Sequence, residues 1–245
     1  VANLCKYFKV ADLRIMLQPD FLINFRLSSS FNSDKNIINS RAWIQTAINI
    51  SKDIETKPYN AAKLKGYLPE LRGMTVKKPK EFLPRMHEIF AEFGIAFVLL
   101  PHLKNSGVNG AVKWVTDDRV VLAINNRGVY ADKFWFSLFH EIRHVLQQKI
   151  KKVFISSTLE EMMDINNKLE IDADKFAKNY LISPEDYRRL APSRYISDDE
   201  IVEFAKTIGI HPGIVAGRLQ HEGIIPQERC SKLKEKYVFE TKKIA

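Results

Sequence analysis

A pentapeptide with two histidines, His140-Glu141-Ile142-Arg143-His144, constrains this chain more than any other sequence feature. It lies within residues 132–148, where apolar residues recur at the spacing of an amphipathic helix. On an α-helix, residues four apart lie on one face about one turn apart, so both imidazoles can reach one ion. The pattern therefore predicts a helix that presents two metal-ligating histidines side by side.

The alternative is an ordinary helix surface, since a chance match in a chain of this length is on the order of one in a hundred. The surrounding sequence argues against it. The motif is embedded in the apolar stretch FWFSLFHEIRHVL, where three charge-capable side chains would be costly to bury without a partner. A metal ion supplies that partner for His140 and His144. Glu141 then lies beside the open coordination position and can take a proton from water, as in zinc-dependent peptidases.

A zinc site of this kind needs a third protein ligand. Residues 169–177, LEIDADKFA, form part of a second predicted helix with an apolar face. Glu170 is predicted to point along the buried side towards the metal. Asp174, one turn further on, is predicted to accept a hydrogen bond from the outer ring nitrogen of a histidine ligand and so to orient it.

Other carboxylates compete with Glu170 for the role of third ligand. Asp172 lies about 200° round the helix from Glu170, so the two are not expected to face one metal. Glu160, Glu161 and Asp164 are nearer to the motif in the sequence, but they belong to a solvated run without a strong apolar face. Glu170 is therefore preferred.

Hydrophobic patterning around the motif predicts an α+β fold. Residues 95–100 (IAFVLL), 111–115 and 119–124 are predicted strands, and residues 116–118 make a hairpin-like connection between the last two. The motif helix follows the third strand, so the unit is a helix, a small three-stranded sheet, the motif helix and further helices.

Helices are predicted over residues 42–54 and 81–93, the second one closed by Gly94. Residues 28–39 and 69–79 are predicted to be connectors because they are rich in polar residues or contain proline and glycine. Further helix starts are predicted where capping residues precede an apolar pattern. These are Ser183-Pro184, Ser197-Asp198-Asp199-Glu200, and His211-Pro212, with Gly209 closing the helix before the last one.

Composition excludes some classes of protein. With 45% hydrophobic and 27% charged residues, the 245-residue chain has a globular composition, and no apolar run reaches the ~20 residues that span a membrane. Two distant cysteines, Cys5 and Cys230, indicate a reducing, cytoplasmic compartment rather than a disulfide framework. The net charge of +9 is compatible with an acidic partner, but a solvated basic surface is preferred to direct DNA binding because no nucleic-acid-binding motif accompanies the lysines.

Three blocks of the sequence carry a family resemblance. They are Asn109–Ala111 with VVLAIN and FWFSLFHEIRHVL, then EIDADKFAKNYLISP, then FAKTIGIHPGIVAGRLQHEGII. Together they resemble the ImmA/IrrE metallo-endopeptidases, most strongly over residues 80–226. Residues 1–60 resemble the linker that follows a helix-turn-helix domain in such proteins, and the chain begins with Val1 rather than methionine.

The resemblance implies a zincin-like metallopeptidase domain. It places the zinc ligands on His140, His144 and Glu170, the general base on Glu141 and a supporting carboxylate on Asp174. Mn²⁺ is the alternative metal, because two histidines and a glutamate can bind either ion. Arg143 stands where many members of the family have glycine, and we expect its side chain to point outward, where it can narrow the cleft.

The expected organisation is a mostly helical linker or subdomain over residues 1–75, the metallopeptidase domain with a C-terminal helical extension over residues 76–226, and a charged tail over residues 227–245. By resemblance the substrate is a cytoplasmic protein, a DNA-binding repressor or an antitoxin, and DNA is contacted only through an upstream helix-turn-helix domain. The alternative is a non-catalytic sensing module of a DNA-binding regulator in a toxin–antitoxin or phage-type system. A peptidase or amidase acting on small molecules is a third option.

Donors for the developing oxyanion are sought in the third block. His211, Arg218 and His221 are candidates, since Arg218 and His221 share a helix face. The alternative for each of them is an ordinary structural role as a surface or capping side chain. The strand around residues 109–115 is the expected edge for an extended substrate peptide.

Overall fold

The computed structural model describes residues 2–14, 34–125, 130–147, 159–190 and 196–239. None of the helices in these ranges combines the length and the apolarity that a bilayer-spanning helix requires. The helices are α1 (Ala2–Phe8), α2 (Asp34–Ser51), α3 (Ala61–Gly73), α4 (Pro79–Glu92), α5 (Ala131–Leu146), α6 (Leu159–Leu181), α7 (Pro184–Leu190), α8 (Asp198–Thr207) and α9 (Pro212–His221). The strands are β1 (Ile95–Leu100), β2 (Gly110–Trp114) and β3 (Val120–Asn125).

The three strands form one mixed sheet with β3 in the centre. β1 pairs with β3 in parallel, and β2 pairs with β3 antiparallel. Every residue of β3 is buried, so both faces of the sheet are covered. The expected α+β class, with a small three-stranded sheet between helices, is confirmed for the described residues.

Alternation along the strands separates two hydrophobic clusters. Small residues such as Ala96 and Ala123 face one way and pack against Trp43 and Ile44 of α2. Larger residues face the other way, into the main core with α3, α4, α5 and α9. From the sheet these are Ile95, Phe97, Val112, Val120, Leu122 and Ile124. The main core is therefore on the side of the sheet where α5 lies.

The strands lie where their patterning predicts them, each shifted by at most one residue. The hairpin-like connection is present, with Val115 N donating to Arg119 O at 3.0 Å. The predicted helix starts are also confirmed. Ser183 Oγ accepts from Asp186 N at 3.0 Å, and Ser197 forms a capping box with Glu200. Local side-chain chemistry thus determines these boundaries.

Two predicted connectors are wrong in part. Residues 28–33 lie outside the described ranges, but residues 34–39 belong to α2, since extending a helix already anchored by buried Trp43 costs less than starting one. The helix α3 also continues through Pro69 to Gly73. Its leucines Leu64 and Leu71 are fully buried, and this packing outweighs the cost of about 3 kcal/mol for an interior proline.

The C-terminal residues are packed rather than peripheral as far as Phe239. We call residues 234–237 the C-terminal strap, because they cross the N-terminus of α5. Glu235 O accepts from Ala131 N at 2.8 Å, and Lys234 Nζ lies 2.8 Å from Asp132 Oδ2. Tyr237 is buried in the main core. The sequence suggested a tail here because charged residues alternate with the few apolar ones that pack inward.

The same core cluster contains Leu64 and Tyr237, so it extends across the domain boundaries expected near residues 75 and 226. Whether the three predicted segments fold separately stays a prediction. Residues 240–245 lie outside the described ranges.

The strap gives a first testable expectation. Trp135 Nε1 donates to Tyr237 Oη at 2.9 Å inside the core. Tyr237→Phe leaves that indole N–H buried without its acceptor, so we expect a loss of about 1–3 kcal/mol in the free energy of unfolding, measured by urea titration. Tyr67→Phe, at a ring that is 38% exposed, is the control and should change stability by less than about 0.5 kcal/mol. Equal losses of stability in the two variants would contradict a stabilising hydrogen bond between Trp135 and Tyr237.

Candidate metal centre

The packing of α5 against α6 brings His140, His144 and Glu170 together in a group that could hold a metal ion. The two Nε2 atoms are 2.9 Å apart. Glu170 Oε2 lies 3.2 Å from His140 Nε2, and its Oε1 lies 3.2 Å from His144 Nε2. Ligands at about 2.0–2.1 Å from a tetrahedral ion are about 3.3 Å apart. The two distances from Glu170 match this spacing, and the distance between the Nε2 atoms is somewhat shorter.

Each histidine has a partner for its other ring nitrogen. His140 Nδ1 lies 2.8 Å from Asp174 Oδ1, and His144 Nδ1 lies 2.9 Å from Gln147 Oε1. A hydrogen bond to an oxygen acceptor requires the proton on Nδ1, which leaves the lone pair of a neutral ring on Nε2. Two lone pairs and a carboxylate therefore converge on one space, and only a cation or a proton resolves their repulsion.

The pKa values of His140 and Glu170 agree with a site that favours a positive charge. Burial opposes the charged form of His140, but the hydrogen bonds to Asp174 and Glu170 and the charge of Glu141 outweigh burial and raise the pKa of His140 to about 10. Burial alone would raise the pKa of Glu170, yet the bonds with His140 and His144 lower its pKa to about 2. The pocket thus stabilises a positive charge beside an ionised carboxylate.

Glu141 is 3% exposed and lies against the start of β2. A Cβ atom placed on Gly110 would come within 2.6 Å of Glu141 Cγ and 2.7 Å of Glu141 Oε1. Only glycine at position 110 therefore lets this carboxylate lie against the sheet. The sequence contained the signal, since a glycine inside a strand often marks a close approach, but not the identity of the neighbour.

Arg143 was expected to point outward; its side chain is 32% exposed but pairs with α6 instead of extending freely into solvent. Its Nε donates to Asp172 Oδ2 at 2.6 Å, and its guanidinium carbon lies 5.3 Å from the ring centre of Phe176. Asp172 also accepts from Gln147 Nε2 at 2.7 Å, so it turns away from the metal group, as its angular position predicted. Gln147 was missed because a glutamine three residues after a histidine is common on helices.

Among the side chains that the structure describes, Glu170 is the carboxylate that completes the group with His140 and His144. The side chains of Glu160, Glu161 and Asp164 lie outside the described part of α6.

The three candidate donors from the third block have different positions. Arg218 and His221 line, together with Asp174, a cavity of about 500 Å³ between α5, α6 and α9. Arg218 also bonds Glu222 at 2.8 Å. His211 instead caps α9, with its Nδ1 accepting from Gly213 N at 3.0 Å, and it is not among the described residues that line the cavity. The structure thus brings two of the three donors near Asp174.

Comparison with protein-family models finds no match to the chain, and a search of curated proteins finds none either. What bears on the function is the geometry: two imidazoles and a carboxylate converge on one space. A further carboxylate, that of buried Glu141, is next to the first histidine in the chain. Such a group can hold a cation and place a base beside it.

Metal binding is the direct expectation. The chain should bind one equivalent of Zn²⁺, measured by elemental analysis after dialysis and by competition with a chromophoric chelator. His140→Ala removes one of three ligands and should weaken binding by more than about 100-fold, beyond what loss of a supporting residue causes. His87→Ala, on α4 outside the cluster, should bind as the wild type does. Equal binding by both variants would place the metal elsewhere.

The contact between Gly110 and Glu141 gives a steric expectation. Gly110→Ala forces the carboxylate or the strand to move, and we expect it to destabilise the fold by about 1–3 kcal/mol. The matched control is Gly66→Ala in α3, where an added Cβ meets nothing within 4 Å, so that substitution should be neutral or stabilising by up to about 1 kcal/mol. Thermal unfolding of the metal-free proteins measures both, and a neutral Gly110→Ala would contradict the close approach.

Proposed function

We propose that this chain is a zinc-dependent endopeptidase of the zincin-like ImmA/IrrE type, which hydrolyses a peptide bond in a cytoplasmic protein. The observation that supports it most directly is the convergence of His140 Nε2, His144 Nε2 and the Glu170 carboxylate, with Glu141 buried next to His140. Two imidazoles and one carboxylate suit Zn²⁺, and Mn²⁺ is the alternative ion.

When bound, zinc supplies a Lewis acid that polarises the scissile carbonyl and brings the pKa of a bound water to about 7. Glu141 takes the proton of the attacking water on a carboxylate oxygen and then delivers it to the leaving amine nitrogen. Asp174 holds the proton on His140 Nδ1 at 2.8 Å, which keeps the ring oriented through the reaction. The carboxylate of Glu170 offsets part of the ion's positive charge.

The substrate peptide is proposed to add to the outer edge of β2. In the described residues β2 is an edge strand paired with β3, and extended peptides commonly add to such an edge. Glu141 Oε1 lies directly against Gly110 of that strand, so a peptide running along β2 passes close to the base. Arg218 and His221, on the wall of the adjoining cavity, are the proposed donors to the developing oxyanion.

The proposed substrate is a DNA-binding repressor or an antitoxin. What supports this class is the resemblance of the sequence blocks to peptidases that act in such regulation. A cytoplasmic location agrees with two free cysteines far apart in the chain, one of them buried. DNA contact is proposed only through an upstream helix-turn-helix domain.

Glu141→Gln tests the catalytic role. The amide is nearly the same size but cannot accept the proton, so hydrolysis should fall by about 10²–10⁴-fold while zinc stoichiometry stays at one. Cleavage of a mixed peptide library by the zinc-loaded protein, followed by mass spectrometry, measures the rate. Glu203→Gln, at an exposed position of α8, is the matched control and should cleave at the wild-type rate.

Two results would overturn the peptidase proposal. One is full cleavage activity in Glu141→Gln. The other is a zinc-loaded wild type that cleaves neither peptides nor repressor proteins, which would favour a non-catalytic sensing module.

A further inference from the structure

We infer that Gln147 is a positioning residue for His144, and that Asp172 and Arg143 in turn hold Gln147 in the required orientation. The inference rests on the metal-binding part of the proposed function. It assigns to three residues of the α5–α6 contact the task of deciding which nitrogen of His144 faces the metal. Neither the histidine motif nor the Glu170–Asp174 pair indicates which side chain orients His144.

The first step is the orientation of the Gln147 amide. Gln147 is 8% exposed and follows the last turn of α5. Its Nε2 lies 3.2 Å from Leu169 O and 2.7 Å from Asp172 Oδ2. Both of these atoms only accept hydrogen bonds, so the amide nitrogen must face them. Rotating the amide by 180° would set its oxygen against two acceptors, and so α6 selects one orientation.

The second step follows for His144. With the amide nitrogen facing α6, Gln147 Oε1 is the atom that lies 2.9 Å from His144 Nδ1. An amide oxygen can pair only with a protonated ring nitrogen, so the proton of neutral His144 is held on Nδ1 and its lone pair on Nε2. His144 is 3% exposed, so water does not compete freely for this bond.

The third step concerns Asp172, the acceptor that selects the amide orientation. Arg143 Nε and Nη2 bond its two carboxylate oxygens at 2.6 and 3.3 Å. This two-point contact fixes the plane of the carboxylate. Arg143 is in the last turn of α5, and Gln147 follows four residues later at the end of the helix on the same side, so both reach Asp172. Phe176, one turn beyond Asp172, packs against the guanidinium and holds it in place.

The experiment uses the full chain and measures zinc affinity by chelator competition, the visible spectrum of the cobalt-substituted protein, and thermal stability without metal. Gln147→Met keeps the volume but removes all three hydrogen bonds of the amide, to His144, Leu169 and Asp172. It should weaken zinc binding by about 10–100-fold and alter the cobalt spectrum. Gln147→Glu keeps an acceptor for His144 but sets a carboxylate against Asp172, so it should also weaken binding.

The double variant Gln147→Glu, Asp172→Asn separates positioning from packing. The new amide can donate to the new carboxylate, which still accepts from His144 Nδ1, although Leu169 O remains opposite that carboxylate. Zinc affinity should therefore recover in part and exceed that of the Gln147→Glu single variant. Tyr180→Leu is the packing control, since Tyr180 stacks on Phe139 between the same helices. It should lower metal-free stability but leave zinc affinity and the cobalt spectrum unchanged.

Wild-type zinc affinity in Gln147→Met would overturn the inference. So would a loss of zinc affinity in Tyr180→Leu that matches the loss in Gln147→Met, because helix packing alone would then explain both. A wild type that binds no metal would overturn the metal site of the proposed function, and this inference with it. That outcome is distinguishable because it is seen before any substitution is made.

Discussion

The contact between α5 and α6 sets the geometry on which the rest of the site depends. On each helix two rows of residues, spaced four apart, face the partner helix. One pair of rows surrounds the metal group, and the other pair is the ionic and aromatic contact beside it. The rows are His140 with His144 on α5 and Arg143 with Gln147 at its C-terminal end, facing Glu170 with Asp174 and Asp172 with Phe176 on α6. A shift of either helix by one residue would break both sets of contacts together.

This contact brings together the Nε2 lone pairs of His140 and His144 and the Glu170 carboxylate, and these groups repel one another. Apolar burial on the opposite side of α5 offsets this repulsion, because Phe134, Trp135 and Leu138 are fully buried in the main core. Such apolar burial is worth about 1.5–3 kcal/mol for each large side chain. The helix can therefore keep two histidines and a glutamate buried at positions that apolar residues would otherwise fill. A cation bound here adds its binding free energy to the stability of the fold.

Much of this could be predicted from the sequence, because it depends on spacing within one element. The i, i+4 relation of His140 and His144 and the same relation of Glu170 and Asp174 put each pair on one helix face. The hydrophobic patterning of residues 95–124 predicted the three strands of the sheet. What could not be predicted depends on the register between elements. Gly110 and Glu141 belong to different elements, and nothing in their local patterns says that they meet.

The predictions that failed also depended on the register between elements. Arg143 was expected to point outward because a guanidinium on an isolated helix prefers water, and only the position of Asp172 explains why it reaches across to α6 while staying partly exposed. Pro69 suggested a connector because proline is costly inside a helix, and only the burial of Leu64 and Leu71 explains why α3 continues. Tertiary packing decides these cases, and a single sequence contains little direct information about it.

The C-terminal strap has a consequence for how the protein is made. Ala131, in the first turn of α5, donates its amide to Glu235 O, and Trp135 of the same helix needs the hydroxyl of Tyr237. The helix that carries both histidines therefore obtains its last partners only after synthesis has passed Tyr237. On the ribosome the nascent chain presents His140 and His144 long before their surroundings are complete. A chain that stops short of the strap lacks the contacts that anchor the beginning of this helix.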